Sequence, residues 1–387
     1  SLVHVLPVLF PGAELFKALE EGAHPIANWG GSAAAVELSA AETMLHRAIS
    51  ISFYGSLGLI IVGTGFFKSS IGSLISELYK DESDSERDAA FTIEYFVINI
   101  GAFAAPITAG VIGEVYGWHY GFLVAAIGMA VGLAIFLIAA RTRIPKELKG
   151  RSVRERKASV SLGNGDAALR QSLALGAMLV LILSAYWTMF EQWGGLINLF
   201  TDEKIDRQFF GSEIPTSSLQ AVNPLFIILL APLLVKLGTW LDHSKTITVE
   251  VSPFHKLAIA NILLAVTFVL LFAASAFATN SDTGRAALGW LIAAYFFMAL
   301  SELLIAPVAL SLFTRIAPAA MVSIAVGVFY ATASIGAFLS GFVGALAENY
   351  GDGTVFAAIA VVGAILSATT LVVGRYYSVG DAQREQS

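Results

Sequence analysis

Cysteine is absent from this chain of 387 residues. That excludes disulfides and any metal or redox site built on thiolates. Charge is scarce too. Asp, Glu, Lys and Arg make up 13% of the residues, against about 25% in a soluble domain. No P-loop is present, so direct drive by ATP is not expected of this chain. None of the six His stands in an H-x-x-x-H spacing. No nucleophile–base pair is legible, so an enzyme is not expected, and neither is a cofactor, a metal or a nucleic-acid partner.

What fills the chain instead is apolar. Hydrophobic residues account for 56% of it, with a mean hydropathy of +0.74. A β-barrel would alternate over segments of about ten residues. Here the apolar runs exceed the roughly 20 residues that an α-helix needs to span a bilayer. The expectation is an all-α membrane protein. Nine full spans are read near 52–78, 89–115, 119–141, 172–200, 218–241, 254–278, 285–314, 319–347 and 353–376. A partial one covers 1–10, where the chain opens inside the run SLVHVLPVLF. That opening suggests earlier helices missing from the start. Residues 11–51 read as a long loop with helical patches. The net charge of -6 says little, because local loop charge governs a membrane protein.

Residues 141–157, RTRIPKELKGRSVRERK, hold eight Lys/Arg against two Glu. The positive-inside rule places them in the cytoplasm. Counting outward, the acidic loop 80–88 is cytoplasmic, the loop 11–51 is external, and the C-terminal tail is cytoplasmic. The basic segment also divides the chain. We expect a remnant N-terminal bundle over 1–141, a cytoplasmic linker over 142–171, and a six-helix C-terminal bundle with a short tail over 172–387. Two six-helix halves are the plan of many transporters. Pro106, Pro224, Pro232 and Pro307 fall inside spans, where proline makes kinks that gating can use.

Four lone ionisable residues interrupt the apolar segments: Lys68, Glu94, Glu191 and Glu302. A charge at the bilayer centre costs roughly 2.5–3.5 kcal/mol on insertion scales. Membrane proteins keep such groups where they pair, line a water-filled cavity or move ions. Lys68 lies about two-thirds along its span, with Gly63 and Gly65 permitting close approach. Glu191 is expected to share a face with Trp187 and Asn198. Desolvation makes the charge of a carboxyl costly, so such a group is a candidate for exchanging a proton near neutral pH. Glu302 and Lys68 fall at similar depths, and a salt bridge between them would close a cavity on one side. Asn99 and Asn223 are amides that can contact a ligand or join helices. Glu94 can pair with Arg87 at the interface.

Five segments carry a family resemblance. GTGFFKSS, RDAAFTIEYFVINIGAF, YWTMFEQWG, LQAVNPLFI and SELLIAPVALSLFTRIAP resemble the motifs of helices four, five, seven, eight and ten of the proton-dependent oligopeptide transporters of the major facilitator superfamily. Five in order on the right spans make a specific signal, running from about 52 to 376. The resemblance implies a two-bundle, 12-helix fold, of which about 9–10 transmembrane helices are present here. It implies proton-coupled uptake of di- and tripeptides by alternating access, in a plasma membrane of bacterial inner-membrane type. By position, Lys68, Asn99, Trp187, Asn223 and Glu302 would bind substrate. Lys68 would also pair with Glu302 as a gate, and Glu191 would couple protons.

The departures are local. Glu94 stands where the fifth-helix motif has an aromatic residue. Ser69 and Ser70 stand where Pro and Asn are common, and Phe329 where Trp is frequent. The first-helix E-x-x-E-R motif is not in this sequence. These differences leave open another small solute as cargo: an amino acid, nitrate or a peptide-like metabolite.

Overall fold

A computed structural model describes residues 40–79, 84–142, 166–243, 252–317 and 321–384. Side chains at 41–46, 65–73 and some other positions lie outside that description. Helix α1 spans Ala40–Leu78. Then come α2 (Asp84–Ala105), a π-helical turn (Pro106–Gly110), α3 (Val111–Tyr116) and α4 (Trp118–Thr142). After the linker, α5 (Asp166–Phe190) passes into a 3-10 turn (Glu191–Gly194), followed by α6 (Leu196–Lys204). A short α7 (Thr216–Leu219) precedes α8 (Val222–His243) and α9 (Pro253–Asn280). Helices α10 (Leu288–Ile316), α11 (Val322–Tyr350) and α12 (Asp352–Arg384) complete the chain.

Eight helices among the described residues are long and apolar enough to cross a membrane. They match the expected spans from 89 onward. Of the expected span 52–78, the described apolar part is Ser50–Thr64, on α1. The expected partial span 1–10 and most of the loop 11–51 lie outside the described residues, as does the linker between 143 and 165.

Four expectations need correction. The loop 11–51 ends earlier, because α1 begins at Ala40. Its first residues, AAETMLHRA, are mostly good helix formers with no Gly or Pro to stop them. The span 89–115 is not one regular helix. Pro106 lacks the N–H that an α-turn needs, and the chain widens to a π-turn there. The span 172–200 is broken at Glu191. Gly195 adopts φ −117°, ψ −99°, outside the helical region, and α6 restarts beyond it. The tail after 376 continues as helix to Arg384.

Two small β-pairs went unforeseen. Residues Ile205–Asp206 (β1) pair in parallel with Ala286–Ala287 (β4). Gln208–Phe209 (β2) and Ser212–Glu213 (β3) form a hairpin. Two-residue strands have no periodicity to read.

Contacts divide the chain into Ser1–Leu74 and Ile75–Ser387. The second unit holds every element from α2 onward. Its core is apolar and aromatic: Leu179, Leu183, Phe268, Tyr295 and Phe356 are all buried. Helix α9 packs on α10 and α12, α5 on α11, and α2 on α8. Hydroxyls join these helices. Thr267 donates to the Ala294 carbonyl at 3.3 Å, and Ser367 to that of Ala258 at 2.9 Å. Such bonds between helices are worth about 0.6 kcal/mol on average in a membrane. The α5–α11 seam is tighter. A Cβ at Gly336 would strike the Trp187 Cβ and lie 2.8 Å from the Thr188 nitrogen. Only a residue without a side chain lets the two backbones approach so closely.

Candidate functional site

The carboxylate of Glu302 lies midway along α10. Asn223, in the first turn of α8, donates its Nδ2 to Glu302 Oε2 at 3.2 Å. The Asn223 side chain is buried, and its Oδ1 has no partner. An orphaned buried acceptor costs about 1–3 kcal/mol. It is therefore a point where an incoming donor gains most. The start of α8 reaches Glu302 because α8 packs along α10.

Glu191 lies within electrostatic reach of Glu302. It opens the 3-10 turn that ends α5, and its neighbour fixes that turn. Gln192 is 1% exposed. Its Nε2 donates to the carbonyls of Thr188 and Ser340, both at 3.0 Å. One bond is within its own helix and the other crosses to α11. The backbone at Glu191 is thereby pinned between two spans.

Behind the carboxylates runs a fully buried chain of hydroxyls. Tyr186 on α5 and Ser301 on α10 are both 0% exposed. Their hydroxyl oxygens are 2.9 Å apart, and Ser301 donates to the Ala260 carbonyl on α9 at 2.7 Å. Since Ser301 spends its proton on that carbonyl, Tyr186 must be the donor of the other bond. Three spans are tied together directly beside Glu302. Tyr95, on α2, also lies within electrostatic reach of Glu302 and of Tyr186. Its hydroxyl is buried, with the Asn99 side-chain amide beside it.

The expected residues thus divide. Asn223, Glu302 and Glu191 come together. Asn99 is buried one turn after Tyr95 and donates its amide to the Tyr95 carbonyl at 2.9 Å. Trp187 meets Tyr186 edge to face at 5.3 Å between centroids and Phe190 at 5.4 Å. Its Nε1 is buried without a partner. Asn198 does not extend the Glu191 face. The break at Gly195 turns it away, and it accepts a bond from Gln220 at 2.9 Å. Glu94 is half-buried and within electrostatic reach of Tyr330 on α11; the Arg87 side chain lies outside the described residues. Lys68 belongs to α1, but its side chain also lies outside the described residues.

Sequence reasoning missed Tyr186, Ser301, Tyr95 and Gln192 as members of the site. Each of the four adjoins a singled-out residue (Trp187, Glu302, Glu94 and Glu191 in turn), which was the available signal. No group of His, Asp and Glu suited to a metal ion occurs among the described residues.

The family model described as PTR2, POT family, matches residues 30–164 and 166–358. The chain belongs to the POT family. The chain is also similar to two curated relatives. The peptide transporter YePEPT of Yersinia enterocolitica is 29% identical, over 82% of this chain and 74% of its own length. YclF of Bacillus subtilis, described as an uncharacterized transporter, is 28% identical over 86% of this chain and 76% of its own. Among solved structures, a peptide transporter POT in complex with sulfate superposes with a TM-score of 0.70. It has 24% identity over 84% of this chain and 74% of that one. A POT family transporter in complex with 5-aminolevulinic acid gives a TM-score of 0.67 at 23% identity, over 82% and 75%. At these identities the structures speak for the fold. This POT-family chain is therefore a multi-pass helical membrane protein of the transporter fold, as its motifs imply.

Proposed function

We propose that this chain performs proton-coupled symport of di- and tripeptides by alternating access, in a bacterial inner membrane. The observation that carries this reading is the Asn223–Glu302 pair at 3.2 Å with Glu191 in electrostatic reach. Relatives named as peptide transporters and as dipeptide and tripeptide permeases support the cargo.

The chemistry follows from the groups present. A peptide presents an ammonium group, which donates hydrogen bonds and carries positive charge. Glu302 supplies the opposite charge, and the orphaned Oδ1 of Asn223 supplies an acceptor. Asn99, on α2, and Trp187, on α5, complete the proposed substrate contacts. Two carboxylates in one electrostatic neighbourhood do not titrate independently. A proton or an ammonium arriving at one changes the cost of charge on the other. We assign the proton to Glu191 and the ammonium to Glu302. Lys68 is proposed to hold the peptide carboxylate and to pair with Glu302 when the substrate leaves. Protons and a small peptide are then the partners, within the lipid bilayer, and no cofactor is required.

The test is uptake of labelled dialanine into liposomes holding the protein, with and without an inward proton gradient. Accumulation that needs the gradient, competed by tripeptides and not by free alanine, is the expected result. Folded protein that takes up no dipeptide would move the cargo to another small solute.

A further inference from the structure

The ends of two spans that the charge rule places on the external side meet at one side chain, Glu114 in α3. Both of its carboxylate oxygens are engaged. Oε1 accepts the Thr216 backbone N–H and Oε2 that of Ser217, each at 2.9 Å. Those N–H groups open α7, where no intrahelical acceptor exists for them. Gly110 lies one turn before Glu114, on the same face. A Cβ there would stand 2.9 Å from the Ser217 Cβ, so the Gly110 backbone lies directly against the Ser217 side chain.

The receiving side has close braces of its own besides Glu114. The Arg207 side chain is 7% exposed. It pairs with Asp202 at 2.7 Å and Glu213 at 3.0 Å, and donates to the Ile214 carbonyl at 2.6 Å. The Thr216 hydroxyl donates to Asp202 Oδ1 at 2.8 Å. Glu114 comes only to 4.0 Å from Arg207. If the two ends part, Arg207 gives up only its long 4.0 Å pairing with Glu114 and keeps Asp202 and Glu213; what is uncovered is one carboxylate and two amides that water can serve. The contact can open without dismantling either side.

We propose that Glu114 is a positioning residue of the transport cycle: its carboxylate latches the end of α3 to the start of α7, and so holds the external side closed. The proposal rests on the alternating-access reading, though not on the identity of the cargo. Charge-assisted bonds to backbone N–H groups are about twice as strong as neutral ones. Glu114→Gln removes the charge and turns one acceptor into a donor facing an N–H. The population open on the external side should rise roughly tenfold.

The absence of cysteine makes the test direct. Spin labels are attached to the full chain at Tyr116→Cys and Gln208→Cys, both exposed positions, and the distance distribution is read in nanodiscs without substrate. The parent should favour the short distance, and Glu114→Gln the long one. Glu203→Gln, which changes an exposed carboxylate on α6 outside this contact, should leave the distribution as in the parent. Should Glu114→Gln fail to give monodisperse protein, Glu114→Asp carries the same test, because the shorter acid cannot reach both amides. Equal distributions in parent and variant, or a parent already at the long distance, would overturn the latch. A parent that moves no peptide yet responds to Glu114→Gln would sink the peptide reading and leave the latch standing.

Discussion

Asn223 donates its side-chain amide to Glu302 across the α8–α10 contact at 3.2 Å, while its own carbonyl oxygen stays buried without a partner. One amide therefore orients the carboxylate and offers an acceptor beside it. Asn223→Ala removes both roles. The expected cost is about 1.5–3 kcal/mol in substrate binding, as for a bond to a charged group. That corresponds to a KM raised by roughly ten- to a hundredfold. Peptide uptake kinetics at fixed proton gradient would check this, and an unchanged KM would remove Asn223 from the site.

Glu191 is proposed to carry the coupling proton. Glu191→Gln keeps the shape of the side chain and cannot release a proton. Gradient-driven accumulation should be lost, while exchange of labelled for unlabelled substrate across the membrane persists. A variant that still concentrates substrate against a gradient would place coupling elsewhere.

The Lys68 assignment is tested by function. Lys68→Ala should depress transport strongly while the yield of folded protein stays close to the parent's. Undiminished uptake would end the idea of a gate between Lys68 and Glu302.

Ser301 tests the buried hydroxyl chain. Ser301→Ala leaves the Tyr186 hydroxyl buried and unpaired, and the Ala260 carbonyl loses its cross-helix donor. A loss of about 1–2 kcal/mol is expected from two such bonds in a membrane bundle. The double change Ser301→Ala with Tyr186→Phe should recover part of it, because no orphaned hydroxyl then remains. Thermal unfolding in detergent reads both.

Gly336→Ala should be worse than its one carbon suggests. The added Cβ meets Trp187 Cβ and the backbone of Thr188, and backbone cannot rotate away as a side-chain tip can. The α5–α11 seam must open, with a loss of about 1–3 kcal/mol of the kind overpacking causes. A lower melting temperature is the expected reading. An unaltered one would mean that the seam has slack.

Lipid-length apolar runs, the basic linker and isolated charges are one-dimensional features. Glu191 and Glu302 stood out because a carboxyl on an apolar helix is costly wherever its partners lie. The break at Glu191 was less legible. Its two adjacent glycines are permissive, and permission for a bend does not impose one. Glu114 and Arg207 did not stand out, since charges near the ends of spans are ordinary.

Composition and residue order alone put this chain in a bilayer, mark its spans from 89 onward, and show which ionisable groups must be accounted for inside them. These follow from transfer free energy, a sum over residues that needs no fold. That Asn223 holds Glu302, that Tyr186 reaches Ser301, and that Glu114 caps Thr216 and Ser217 emerges from the packing of the helices. These pairs lie 79, 115 and 102–103 residues apart. A hydrogen bond is satisfied within about 3 Å or not at all, and helix packing sets those distances.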